Sequence, residues 1–86
     1  MVCAMNRFGQ DVVVRGNASD AREAFVFDVC RHAAGGFILY IEYSGDKRDG
    51  VTGAGIWPTI EKAKEIAQET ASRLLTGAIV TWKNSN

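Results

Sequence analysis

The sequence is poor in cysteine, proline and histidine, and these shortages exclude several classes of protein. Its 86 residues include two cysteines, one proline and one histidine. A small secreted domain usually depends on several disulfides, whereas Cys3 and Cys30 are the only two thiols here and one lies near a terminus. We therefore expect a cytoplasmic protein.

Long hydrophobic runs and an excess of charge of either sign are also absent. No apolar run is longer than the five residues of 37–41, which is far shorter than the roughly 20 residues of a membrane helix, and the N-terminus lacks the pattern of a secretory signal. Lys plus Arg and Asp plus Glu each number 10. This balance removes the broad attraction that draws basic proteins to nucleic acid or anionic lipid, and we expect no membrane partner.

The apolar residues that are present are enough for one hydrophobic core. They make up 47% of the 86 residues, which is too little material for two cores. No repeat or linker divides the chain. We predict one domain over residues 1–86, in which residues 1–8 can fray and residues 84–86 form a polar tail.

The first half of the chain contains one segment that fits two interpretations. Residues 11–15 predict a strand and residues 16–20 a loop. Residues 20–34 have capping residues for a helix at both ends, but their alternating FVFDV sequence is aromatic and β-branched, which favours a strand. We predict the strand.

The next strand, predicted over residues 37–44, pairs with this one as a hairpin. Matching the two apolar faces requires a loop of three or five residues. A five-residue loop, residues 32–36, puts Asp28 opposite Tyr40, whereas the shorter loop puts it opposite Glu42, where two carboxylates repel each other. We predict the five-residue loop.

The second half predicts a strand, a long helix and a final strand. The strand over residues 51–57 stops at Pro58, which disfavours helical geometry before it. An apolar stripe at helical spacing, with Thr59 as N-cap, predicts a helix over residues 59–76. Residues 78–83 alternate as the last strand.

These elements predict an α+β fold of order β-β-β-β-α-β. It is an antiparallel β-meander of four or five strands with one long amphipathic helix packed on one face. Gly53 and Gly55 indicate a bulge or a close backbone approach in an edge strand. The predicted core face of the hairpin consists of Phe25, Phe27, Val29, Leu39, Ile41 and Tyr43.

The opposite face of the sheet carries the predicted binding residues. Four of its side chains are apolar or aromatic, whereas a fully solvated face is usually more polar, and contiguous apolar patches mark interaction sites. Two tryptophans can frame the same end of the domain or an edge of the interface. The six interface candidates are Val26, Cys30, Ile38, Tyr40, Trp57 and Trp82.

No group of residues has the pattern of a catalytic or metal site. His32 is the lone histidine, and spacing gives it no partner. Cys30 and His32 supply two ligands where zinc takes four. The glycines around Thr52 lack the ending of a phosphate-binding loop. We predict no enzyme, no cofactor and no metal.

Residues 25–42, FVFDVCRHAAGGFILYIE, resemble the first hairpin of PUR-type repeats, which have four strands followed by a helix and bind single-stranded nucleic acid. The similarity covers about a fifth of the chain. The strand after Gly77 and the scarcity of basic residues on the sheet depart from the family's plan.

Three functions follow, in order of preference. The first is a non-enzymatic binding module that makes protein–protein contacts through its uncovered sheet face or edge and self-associates as a homodimer. The second is single-stranded nucleic-acid binding through Tyr40 and basic residues of the sheet, as the resemblance implies. The third is a small enzyme that uses His32 and Asp28.

Overall fold

The computed structural model describes residues 10–84, and within them it confirms the predicted α+β fold. The expected fraying of residues 1–8, Cys3 and the last two residues of the polar tail lie outside the described residues. The elements are β1 (Val12–Ser19), β2 (Glu23–Arg31), β3 (Phe37–Gly45), β4 (Gly50–Trp57), α1 (Ile60–Leu74) and β5 (Thr81–Asn84). The strands form one antiparallel sheet in the order β4-β3-β2-β1-β5, and α1 packs on one face of it.

The β2–β3 hairpin has the predicted register. Asp28 pairs with Tyr40 and the loop comprises residues 32–36. Gly35 and Gly36 take positive φ angles of 105° and 78°, which close the loop without a Cβ penalty. The strand interpretation of residues 20–34 is therefore confirmed for its central part, Glu23–Arg31.

The predicted loop over residues 16–20 is wrong, because β1 continues to Ser19. Gly16 is a buried strand residue rather than a turn residue, and a Cβ added there would lie 2.6 Å from Val80 Cγ1 and 2.7 Å from the Trp82 ring. Glycine is thus required for the close packing of the last strand. The turn itself is made by Asp20, whose backbone N–H donates to Glu23 O at 2.9 Å.

The helix begins and packs as its sequence predicts. Thr59 is the N-cap, and its hydroxyl accepts a hydrogen bond from the Lys62 backbone N–H at 3.0 Å. Ala63, Ala67 and Ala71 lie four residues apart and are fully buried, so a stripe of small side chains lets the helix approach the sheet closely. The hydrophobic core between the helix and the sheet contains all six sheet residues that were predicted for it, of which Tyr43 is only partly buried.

The two outer strands differ in length. β5 begins at Thr81 rather than at residue 78, but the predicted alternation holds, because Val80 is buried and Ile79 is 77% exposed. β4 is twice as long and forms the opposite edge. In the described part of the chain no helix has the length and apolar character needed to cross a membrane.

Candidate functional site

The face of the sheet that points away from α1, called here the open face, holds four of the six predicted binding residues. The register places Val26 beside Glu42, and it places Cys30 beside Ile38. Tyr40 lies in the row between these two pairs. Val26, Ile38 and Tyr40 are all partly exposed, so the predicted grouping on one face is observed.

Cys30 is a correction to the predicted interface, because its side chain is completely buried. It lies between Val12 on β1 and Ile38 on β3, and Val12 is only 2% exposed. Burial, with the nearby Asp28 carboxylate as a smaller cause, raises the pKa of the Cys30 thiol to about 12. The thiol is therefore protonated at neutral pH and available neither as a nucleophile nor as a contact surface.

An ion pair occupies the row beside Tyr40. Arg15 Nε and Nη2 donate to the two carboxylate oxygens of Asp28 at 2.5 and 3.2 Å, a bidentate geometry. The hydrogen bond to Asp28 raises the pKa of the Arg15 guanidinium. Asp28 is 7% exposed, so Arg15 compensates a carboxylate that water reaches poorly. The pair therefore joins β1 to β2 across the sheet.

Metal-binding side chains do not converge within residues 10–84. No three His, Cys, Asp or Glu side chains there form a cluster that could hold a metal ion. His32 lies in the β2–β3 loop, where its backbone N–H donates to Gly36 O at 3.1 Å. These residues close the hairpin, which is the structural role of the segment.

The two tryptophans do not join the open face. Trp57 and Trp82 lie on opposite edge strands and pack against the core on the helix side. Of the two predicted arrangements they therefore do not share one end of the domain, and each lies at an edge of the sheet. Trp57 Nε1 donates to Ala54 O at 2.9 Å. The Trp82 ring lies 6.3 Å from that of Phe27, and Lys64 Nζ lies 5.5 Å from its centroid. Both act as packing residues.

A shallow groove of about 380 Å³ crosses the open face near β5. The side chains that line it are small or polar apart from three, which are the buried Phe25, the partly exposed Val26 and the exposed Ile79. The open-face residues of its lining are Asn17, Ser19, Ala24, Val26, Ile79 and Thr81. It contains no charged group and therefore gives no chemical indication of a particular ligand.

The outer side of β4, the strand that the sequence predicts at an edge of the sheet, is a second candidate surface. Its eight residues, GVTGAGIW, contain no charged side chain, and Ile56 is 53% exposed. β3 pairs with its inner side, and no described strand pairs with its outer side. Natural edge strands usually carry charges, prolines or bulges that block pairing with another chain. The absence of charge over these eight residues is the feature of the sequence that marks this surface.

A bulge protects only the second half of this edge. The register between β3 and β4 shifts where Ile38 and Tyr40 pair with Ile56 and Gly53. Within this irregular stretch Gly55 has a φ of 97°, and a Cβ there would lie 3.0 Å from the Trp57 ring. The prediction of a bulge in an edge strand is confirmed. Residues 50–54, called here the edge segment, precede Gly55, and residues 50–53 among them keep an unbroken register with β3.

Alternation along the sheet identifies which backbone groups of the edge segment point outward. The hydrogen bonds from His32 N to Gly36 O and from Asp20 N to Glu23 O show which residues of β2 direct their backbone N–H and C=O groups toward β3 and which toward β1. These directions alternate along each strand, and the pairing of β2 with β3 and of β3 with β4 then shows that the N–H and C=O of Thr52 point toward β3. The corresponding groups of Val51 and Gly53 point away from the sheet.

Gly53 lacks the structural reasons that explain the other glycines of the described chain. Those glycines either have positive φ angles or leave no room for a Cβ. Gly53 has no positive φ, and no described atom beyond its chain neighbours lies within 4 Å of the position that a Cβ would occupy. A glycine inside a strand weakens it and often marks a place where another backbone or ligand approaches.

Comparisons with known proteins add no relative. No family model, no curated protein and no solved structure matches this chain. The resemblance of residues 25–42 to PUR-type repeats therefore rests on the hairpin alone. The fold and surfaces define the class, a five-stranded antiparallel sheet with one covering helix and one uncharged edge strand.

Proposed function

We propose that this chain is a non-enzymatic binding module that makes protein–protein contacts through the edge of its sheet and self-associates. The observation that carries the proposal is the uncharged edge strand β4, whose outward hydrogen-bonding groups have no described partner. An edge of this kind is a template for pairing with another chain. The cytoplasm remains the proposed location, on the basis of the low cysteine content.

The overall charge also supports self-association. The chain has equal numbers of acidic and basic residues and a formal net charge of +0. Net charge far from zero keeps proteins apart, and two copies of this chain lack that long-range repulsion. Pairing of two copies is therefore opposed neither by total charge nor by charges within β4.

Light scattering after size-exclusion chromatography, over a wide range of concentrations, tests the proposal. We expect the mass per particle to rise from one chain to two as the concentration increases. A mass of one chain at every concentration would contradict self-association. Urea unfolding of the same samples is the control that the chain is folded.

Single-stranded nucleic-acid binding is the second candidate, and one arrangement favours it. The register places Lys83, Arg15, Asp28 and Tyr40 in one row across the open face. Arg15 is paired with Asp28, so the exposed Lys83 and the Tyr40 ring are the groups of this row that could contact a nucleic acid. Stacking of bases on an aromatic ring beside basic groups is the usual mode of such binding.

Fluorescence anisotropy with a labelled single-stranded oligonucleotide tests this candidate. We expect binding that weakens as salt is added and is reduced by Tyr40→Leu, with Tyr43→Leu as the matched control on the opposite face. Absence of binding at low ionic strength would exclude this function and leave the first proposal unaffected.

A further inference from the structure

We infer that two copies of this chain pair through their edge segments, antiparallel and about a two-fold axis at Thr52. This inference rests on the proposed function and specifies both the surface and the partner. In such a pair Thr52 faces Thr52 of the partner copy, and Val51 faces Gly53. The two five-stranded sheets then become one continuous sheet with β4 strands at its centre.

The phase of the backbone supports this register. The outward groups belong to Val51 and Gly53, and antiparallel strands exchange both N–H···O bonds between directly opposed residues of this kind. The two-fold axis gives two such pairs, because Val51 of each copy lies opposite Gly53 of the other. The outward N–H and C=O groups of Val51 and Gly53 in each copy are then all hydrogen-bonded. Thr52, which points its groups toward β3, lies at the non-hydrogen-bonded position on the axis.

Charge selects the antiparallel direction. The loop before β4 carries Asp46, Lys47, Arg48 and Asp49, whereas residues 54–57 are uncharged. Antiparallel pairing about Thr52 places Asp49 opposite the partner's residue 55, so each charged loop lies beside a neutral segment. A parallel arrangement in register would bring Asp49 against Asp49, and like charges directly opposed destabilise a sheet.

The open space at Gly53 fits this pairing. Gly53 faces the open face, as does Val51, because they pair with Tyr40 and Glu42 of β3. In the two-fold pair the Val51 side chain of the partner copy lies next to Gly53, where no described atom beyond its chain neighbours occupies the space near the α-carbon. The bulge at Gly55 then ends the pairing, which limits it to residues 50–54.

Disulfide trapping tests the register. In a Cys3→Ser background the remaining native thiol, Cys30, is buried, and Thr52→Cys then supplies one exposed thiol on the proposed axis. Opposed residues at a non-hydrogen-bonded position have Cα atoms about 4.5 Å apart, a separation that permits a disulfide. The matched controls are Ile56→Cys and Ile79→Cys, which replace side chains that are 53% and 77% exposed and lie off the axis.

Under mild oxidation we expect the Thr52→Cys chain to form covalent dimers about tenfold faster than either control, because pairing raises the local concentration of the partner thiol. Light scattering on the uncrosslinked chain is measured in parallel. A dimer in which Thr52→Cys has no advantage would overturn the edge pairing but leave self-association standing. A chain that is monomeric at every concentration would overturn both.

A pair of substitutions tests the same axis without oxidation. Thr52→Lys sets two positive charges against each other across the two-fold, and we expect at least about tenfold weaker dimerisation. Thr52→Val has similar shape and no charge, and we expect dimerisation to persist. Both variants should melt near the parent temperature at a concentration where the chain is monomeric, because residue 52 is exposed. Equal dimerisation of the two variants would contradict the inference.

Discussion

Asp28 and Arg15 form a pair whose two members are unequally exposed. The side chain of Arg15 is 41% exposed and that of Asp28 10%, so the guanidinium can return to water and the carboxylate cannot. We expect Arg15→Met to cost about 2–3 kcal/mol of unfolding free energy, because it leaves a buried charge unpaired, and Asp28→Asn about 1 kcal/mol. Urea unfolding at neutral pH measures both. Equal losses, or a larger loss for Asp28→Asn, would show that the guanidinium depends on the pair.

Asp20 joins the β1–β2 turn to the end of the helix. Its carboxylate accepts hydrogen bonds from the backbone N–H groups of Arg22 at 2.8 Å, Glu23 at 2.9 Å and Thr76 at 3.1 Å. These bonds, that from Arg22 foremost and that from Thr76 next, lower the pKa of Asp20 below its ordinary value. A single side chain thus holds two segments that are distant in sequence.

The direction of this pKa shift predicts how stability depends on pH. Because the pKa of Asp20 is lower in the folded than in the unfolded chain, its stabilising contribution is present above the unfolded value of about 4 and is lost as pH falls through the folded value. We expect Asp20→Asn to lose less stability than the parent chain between pH 5 and pH 2, as measured by urea midpoints. Asp46→Asn, in the exposed β3–β4 loop, is the control and should follow the parent.

At the scale of elements, two glycines of the sheet have opposite roles, one in β1 and one in the edge strand β4. Gly16 is buried beneath Val80 and Trp82, whereas Gly53 faces open space in the described chain. We expect Gly16→Ala to destabilise the fold by about 1–3 kcal/mol through overpacking. Gly53→Ala should be neutral or stabilise it by up to about 1 kcal/mol, because alanine restricts the unfolded chain. Thermal unfolding of the two variants under monomeric conditions makes the comparison.

The contrast between these glycines also shows which elements the sequence could predict. The hairpin register followed from residue parity and from the repulsion between Asp28 and Glu42, both of which are local. The end of β1 did not, because Gly16 has the appearance of a turn residue, and its real neighbours come from β5 and the residue before it, more than 60 positions later. Packing between distant elements decided that boundary.

The candidate site was predictable only where it depends on local sequence pattern. Alternation alone placed Val26, Ile38 and Tyr40 on the open face. The burial of Cys30 and the separation of the two tryptophans depend on strand order, which local pattern does not determine. The edge position of β4, by contrast, was predicted from Gly53 and Gly55, and the strand order confirms it.

At the scale of the whole molecule, stability is organised outward from β2. This strand has hydrogen-bonded neighbours on both sides and carries Phe25, Phe27 and Val29, which are 1% exposed or less. The outer strands have one described neighbour each. We expect amide hydrogen exchange, measured by NMR, to be slowest in β2 and fastest in β4 and β5.

In the edge segment we expect the rate of amide hydrogen exchange to depend on protein concentration as well as on position in the sheet. In the single chain the outward N–H groups of Val51 and Gly53 exchange quickly, whereas that of Thr52 is bonded to β3. Pairing of two copies gives the first two groups an acceptor and leaves the third unchanged. We therefore expect the exchange of Val51 and Gly53 to slow as the chain is concentrated, while Thr52 and the amides of β5 change little. The β5 amides are the internal control for general effects of concentration. If all edge amides slowed together, the association would involve a surface other than the edge segment, and the location of the contact would have to be sought on the open face.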